Sequence, residues 1–274
     1  EGSIFTFATL RGQEVTIYGD GLYRYDTLFT GAINRGNDVV TLLLAIPLLA
    51  YSIRLYWRGS LRGTLLLLGT LVYFLYIYTT YALGIAFNQL FLVYIALYSA
   101  SLFAFLLLFT SIDRQSLVEH LAPDLPRRSI ATFMFVSGLA TTIIWLQPLL
   151  GDLLRNQMPA QIGSYTTKIT DALDLGIITP VSFIAGVLIL RRNPMGYLVT
   201  CSLLVLEVML TPLIISGTIS QLLAGITFTP AEIIGPIVGF TVLGLFALWV
   251  MVILLRKTSE PVTSQPLPLQ PSHA

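Results

Sequence analysis

Seven stretches of the chain are nearly unbroken runs of apolar residues: about 38–57, 63–87, 90–112, 129–150, 172–190, 196–219 and 232–255. Each is long enough for a helix to cross a hydrocarbon core of about 30 Å, which takes about 20 residues. None alternates apolar and polar positions as a barrel strand does, so helices satisfy the backbone groups in lipid here. The pattern predicts an all-α fold, a polytopic bundle of seven transmembrane helices. The first 37 residues are too polar to span and form a segment of their own. Within it, "EVTIYGDGLYRY" reads as a short hairpin or an irregular loop, and "YDTLFTGAINRGND" as a short surface helix with Asp26 at its N-cap. The loop "SIDRQSLVEHLAPDLPRR" has leucines among charges and is expected on the membrane surface. Residues 258–274, rich in proline and serine, read as a disordered tail. The domain organisation is therefore 1–37, a spanning domain 38–257, and 258–274.

Composition agrees with that reading. Apolar residues make up 55% of the chain and charged residues 11%, against roughly 25% charged in a soluble domain. Mean hydropathy is +0.81. The net charge of +1 gives no footprint for nucleic acid, and the lipid bilayer is the partner the sequence calls for. The distribution of charge says more than its sum. Arg54, Arg58, Arg62, Arg114, Arg127, Arg128, Arg191, Arg192, Arg256 and Lys257 all fall on one side of the predicted spans. Arg11, Arg24, Arg35, Arg155 and Lys168 fall on the other, together with Asp38, Asp152, Asp171, Asp174 and Glu232. The positive-inside rule makes the first side cytoplasmic, with the amino terminus outside and the carboxyl terminus inside, in a plasma or bacterial inner membrane. The chain opens at Glu1 without a methionine, so a removed signal peptide or an upstream helix is expected.

Residues 38–74 align without a gap onto 171–207, at an offset of 133. Identities include Asp38/Asp171, Pro47/Pro180, Arg58/Arg191 and Gly63/Gly196, which fall at a helix start, a mid-helix position, a basic turn and the next helix start. Both copies begin outside. The expectation is a parallel internal repeat, 38–112 and 171–257, joined by a linker helix at 129–150. Through this 3+1+3 order and its mid-helix prolines Pro47 and Pro180, the chain resembles the topology of the sugar-transporting SWEET proteins. It lacks the Pro-Gln dipeptide of the related PQ-loop proteins, since "LQPLL" has the reverse order. The stretches "YGDGLYRYDT", "RGSLRGTLLLLGTLVYFLYIYTTYA" and "AEIIGPIVGFTVLGLFALW" resemble a group of bacterial multi-pass membrane proteins. That resemblance carries no activity with it.

Several chemistries lack their residues. The two histidines, His120 and His273, lie in a loop and the tail, so a zinc hydrolase or Ser–His membrane protease has no ligand or base within the bundle. The single cysteine, Cys201, supports neither a CxxC relay nor an intrachain disulfide and reads as a packing residue. Lys168 and Lys257 lie outside the spans, where no retinal would be held. No Walker A or dinucleotide fingerprint is present, and "GDGLYRYD" lacks the EF-hand pattern. No cofactor or metal is called for, and an enzyme is the less favoured reading.

Polar groups within the spans are the remaining lead. The second span carries Tyr73, Tyr76, Tyr78, Thr79, Thr80 and Tyr81, and the third carries Tyr94, Tyr98 and Ser101 on one face. Asp38 with Thr41, and Asp171 with Asp174, sit at the outer ends of the first and fifth spans. Part of this is an interfacial tyrosine belt and helix-end carboxylates, and part is the expected lining of an outward cavity. Glu207 is the exception in depth. In "CSLLVLEVMLTPL" it lies near the midplane, where a charged acid costs about 2.5–3.5 kcal/mol on insertion scales. It is expected to face inward and to bond Tyr73, Tyr76 or Tyr98, with Thr211 one turn further out and Pro212 freeing backbone carbonyls. The function these residues suggest is a small-solute transporter or permease. Glu207, Thr211, Tyr73, Tyr76, Tyr98, Asp38, Asp171 and Asp174 would bind a small solute or couple a proton. The alternatives are a sensor or assembly subunit acting through 1–37, and a lipid-modifying enzyme using carboxylates. Homo-oligomerisation is left open.

Overall fold

Two prolines shape the longest departures from regular helix. Proline has no N–H and its ring collides with the carbonyl four residues back, so a helix carrying it can relieve the clash by widening the preceding turn. In the computed structural model, which describes residues 4–159 and 162–260, Thr41–Ala45 and Asp174–Ile178 are single π-helical turns. Each ends two residues before its proline, Pro47 or Pro180. The helices continue through these turns, so the spans are α1 (Leu28–Trp57) and α5 (Ile169–Leu190). The others are α2 (Leu61–Gly84), α3 (Phe91–Ser111), α4 (Arg127–Leu154), α6 (Pro194–Leu223) and α7 (Pro230–Arg256). All seven are long and apolar enough to cross a membrane.

The ends of the helices follow local rules. Ser60 and Asn193 cap α2 and α6, their side chains accepting from the N–H groups of Gly63 and Met195. Thr229 and Glu232 form a capping box at the start of α7. The turn into α2 passes through a left-handed residue, Gly59 at φ 74°, and the turn into α6 through Arg192 at φ 56°.

Helices α2 and α6 form the centre. In each, 61% of the most apolar window is buried, against 17–33% in the other five. They pack on each other, α1 and α5 flank them, α3 lies on α2, α7 lies on α6, and α4 packs on α5. The outer helices show lipid what a soluble protein would hide: Leu42, Leu43, Leu92, Leu107, Phe246 and Trp249 are all exposed.

The amino-terminal segment differs from expectation in three ways. The first span begins at Leu28, ten residues before the predicted 38, because its polar turns pack against protein instead of lipid. The antiparallel hairpin pairs Phe5–Ala8 (β1) with Glu14–Ile17 (β2), so only the start of "EVTIYGDGLYRY" is strand. The N-cap of α1 is Thr27, whose hydroxyl accepts from Thr30 N–H, while Asp26 is buried and bonded elsewhere. On the opposite, arginine-rich side, the loop after α3 holds a six-residue helix, Arg114–Glu119, with Leu117 fully buried. The carboxyl-terminal boundary also moves. Thr258 is buried and bridges Leu121, and the Glu260 carboxylate accepts from Leu61 N–H at 2.7 Å and Ser60 Oγ at 2.8 Å. The free N–H groups opening α2 favour an anion there. Residues 261–274 of the predicted tail lie outside the described residues.

Candidate functional site

The polar groups inside the bundle fall into two layers. The deeper layer is Glu207 on α6. It is buried, and its Oε1 accepts a hydrogen bond from the Ser137 hydroxyl of α4. Its other oxygen, Oε2, is buried with no hydrogen-bond partner. The inward orientation is as the sequence implied, but the partner is not: no tyrosine of α2 or α3 bonds it. Ser137 carries a weak signal in the sequence, a hydroxyl at mid-depth followed by Gly138. At Gly138 the helices lie close, since a Cβ there would stand 3.2 Å from Ser182 Cβ of α5. Thr211 does not bond the acid; its hydroxyl donates to the Phe240 carbonyl of α7 at 2.9 Å. Gly244 opposite makes this approach possible, because a Cβ there would stand 2.1 Å from Thr211 Oγ1. Helix α6 continues through Pro212 to Leu223.

The second layer lies toward the hairpin, and here the tyrosines are engaged by helices on both sides of α2. The Tyr73 hydroxyl is 2.8 Å from Thr41 Oγ1 of α1. Tyr76 donates to Asp174 Oδ1 of α5 at 3.0 Å. Tyr81 donates to Asp38 Oδ1 at 3.1 Å, and Tyr23 donates to Asp38 Oδ2 at 2.8 Å. Asp171 pairs with Lys168 Nζ at 2.6 Å, and that ammonium also sits 5.9 Å from the Trp145 ring centroid. Tyr98 is half-buried, and its backbone carbonyl accepts from Ser101. The eight predicted site residues are thus divided. Asp38, Tyr73, Asp174 and Tyr76 form one connected layer through α2, and Asp171 adjoins it on α5. Glu207 and Thr211 stand apart with α4 and α7, and Tyr98 joins neither.

The sequence reading missed Asp26, Tyr23 and Tyr165, all of which lie outside the spans. Asp26 Oδ1 accepts from Ala86 N–H at 2.8 Å and from Tyr165 O–H at 2.6 Å. Burial pushes the Asp26 carboxyl above its ordinary range, and these two bonds pull the other way. Burial and the neighbouring Asp26 charge push the Tyr165 hydroxyl up. Tyr23 moves in the same direction, again chiefly through burial. Asp26 thereby ties the start of α1 to the α2–α3 loop and to the α4–α5 loop.

No protein-family model, curated protein or solved structure matches the chain. Fold and burial pattern define the class, a multi-pass integral membrane protein with seven membrane-length helices among the described residues.

Proposed function

We propose that this protein is a small-solute permease in which Glu207 is the proton-coupling acid. The observation that carries this reading is Glu207 itself, a buried acid deep in α6, bonded to Ser137 and with one oxygen unpaired. An ionisable group at that depth is costly, and a purely structural role would favour full pairing. An oxygen with no partner leaves room for a proton to come and go.

The reading includes a parallel repeat in 3+1+3 order, and several equivalences at the offset of 133 support it. The π turn at Thr41–Ala45 corresponds residue for residue to that at Asp174–Ile178. Left-handed Gly59 corresponds to left-handed Arg192. The cross contacts exchange as a two-fold relation requires. A Cβ on Gly36 of α1 would stand 2.6 Å from Gly217 Cα of α6. Their counterparts are Ile169 of α5 and Gly84 of α2, and a Cβ on Gly84 would stand 2.3 Å from Ile169 Cγ2. Two similar halves meeting along α2 and α6 suit the rocking motion of alternating access. The basic residues support an outside amino terminus, so the tyrosine–aspartate layer would form the outer vestibule. Asp38, Asp171 and Asp174, with Tyr73 and Tyr76, would line it. Charge movement in proteoliposomes after a pH jump, wild type against Glu207→Gln, tests the coupling role.

One observation favours a second reading, a sensor or assembly subunit acting through its outer segment. Strand β1 is exposed along its length, and Ile4, Phe5, Phe7 and Leu10 present apolar side chains beside it. Co-purification of a partner that is lost when Phe5 and Phe7 become serine would favour that reading.

A further inference from the structure

The hairpin side holds more unpaired buried polar atoms than its own hydrogen bonds explain. Asp26 Oδ2, Asn34 Nδ2, Asn88 Nδ2 and Tyr94 Oη are all buried with no hydrogen-bond partner. Their residues are 1%, 4%, 7% and 5% exposed. The four belong to one connected region. Asp26 holds Ala86, two residues before Asn88. The Tyr94 ring packs edge-on against Tyr81 at 5.3 Å, and Tyr81 bonds both Asp38 and the Asn34 carbonyl. Tyr94 Oη faces Tyr23 and the Asn88 amide without a well-formed hydrogen bond to either, with Asp38 and Asp26 nearby. The Asn88 amide is oriented by its Oδ1, which accepts from Leu90 N–H at 2.9 Å, so its free Nδ2 is a donor. A groove of about 420 Å³ opens at the edge of this region, where Asn88 lines it together with Gly19, Asp20, Gly21, Leu22, Arg24 and Gln89.

We propose that this region is a binding site for a small solute that carries both an ammonium group and an oxygen acceptor, the chemistry of an amino alcohol or a simple amino acid. The charge balance sets the first half. Among the described residues, neither Asp26 nor Asp38 has a lysine or arginine within salt-bridge distance. A cation relieves that excess, whereas water satisfies hydrogen bonds and leaves the charge. The donors set the second half. Asn34 and Asn88 aim amide N–H groups that repel a bare metal ion and match an oxygen on the solute. The Tyr94 hydroxyl serves either end. This deepens the permease reading and rests on it only for the route by which solute arrives.

The test uses the purified full chain in detergent, so binding is read without a membrane or a gradient, and its failure is separate from failure of proton coupling. The probes are ethanolamine, glycine, sodium chloride and sodium acetate at matched ionic strength, with thermal stability and calorimetric affinity as readouts. Ethanolamine or glycine is expected to raise the melting temperature with concentration, and the two salts are not. Tyr94→Phe removes a hydroxyl that makes no well-formed hydrogen bond in the free protein. It should leave the unliganded melting temperature unchanged and weaken the responding probe about tenfold. Asn34→Leu serves as a second variant with the same expected loss of affinity. No shift with either amine, a shift produced by sodium alone, or unchanged affinity in both variants would overturn the site.

Discussion

Ser137 of α4 donates its hydroxyl to Glu207 of α6, a bond between two helices that each pack mainly on others, α4 on α5 and α6 on α2, α1 and α7. The serine supplies the acid's single hydrogen bond. Removing it strands the whole carboxyl group in a buried site. Ser137→Ala is expected to destabilise the protein by about 1–3 kcal/mol, the cost of an unsatisfied buried polar group. The Ser137→Ala, Glu207→Leu double variant is expected to recover part of that loss, because no polar atom is then left alone. Thermal melts of the four proteins in one detergent measure the coupling. Independent, additive effects would mean the bond contributes nothing.

The close approach of α1 and α6 gives a second expectation. A Cβ at Gly36 would stand 2.5 Å from the Ser216 carbonyl oxygen, which is backbone and has little freedom to move. Gly36→Val is expected to cost about 1–3 kcal/mol through overpacking, while the same change at open Gly239 costs less. Equal melting temperatures for the two variants would contradict the packing.

Asp26 gives a pH signature. Its carboxyl is raised above the ordinary 3.8, so the folded protein binds that proton more tightly than the unfolded chain. Between the two values the native state carries more protons, and stability falls as pH rises. Relative to Asp26→Asn, which does not titrate, the wild type should lose melting temperature as pH rises upward from 3.8. A difference that stays flat, or that grows in the wild type's favour, would contradict the assignment.

Orientation is open to labelling. Cysteine at Asp20 should react with an impermeant maleimide in intact cells, and cysteine at Ser60 or Gln115 should not. The native Cys201 is fully buried and leaves a low background. Reaction at Ser60 in intact cells would reverse the topology.

What the sequence made legible follows from what lipid demands locally. Runs of apolar residues and a lone acid among them are local properties; the runs form seven helices long enough to span, and Glu207 is buried among them. The partner of Glu207 was not legible, because the register between α4 and α6 depends on how α5 and the glycines let them approach. The start of α1 was missed for a related reason. Gly31, Asn34, Gly36, Asn37 and Asp38 read as part of a separate short surface helix, yet they continue the first span because α6 and the tyrosines pack against them. Asp26 looked like a cap, but Thr27 caps α1 and Asp26 joins two distant loops. The clustering of unpaired atoms around Asn88 and Tyr94 depends on three separate segments folding together.

The most direct measurement of the proton-coupling claim is the capacitive current from oriented proteoliposomes after a rapid pH jump, recorded for wild type and Glu207→Gln. It needs no knowledge of the solute, since a proton that reaches an acid deep in the membrane moves charge through part of the field. The wild type is expected to give a transient whose amplitude follows pH. Glu207→Gln, folded by its melting curve, is expected to give none. An equal transient in Glu207→Gln, or no transient in folded wild type across the pH range, would contradict the coupling role.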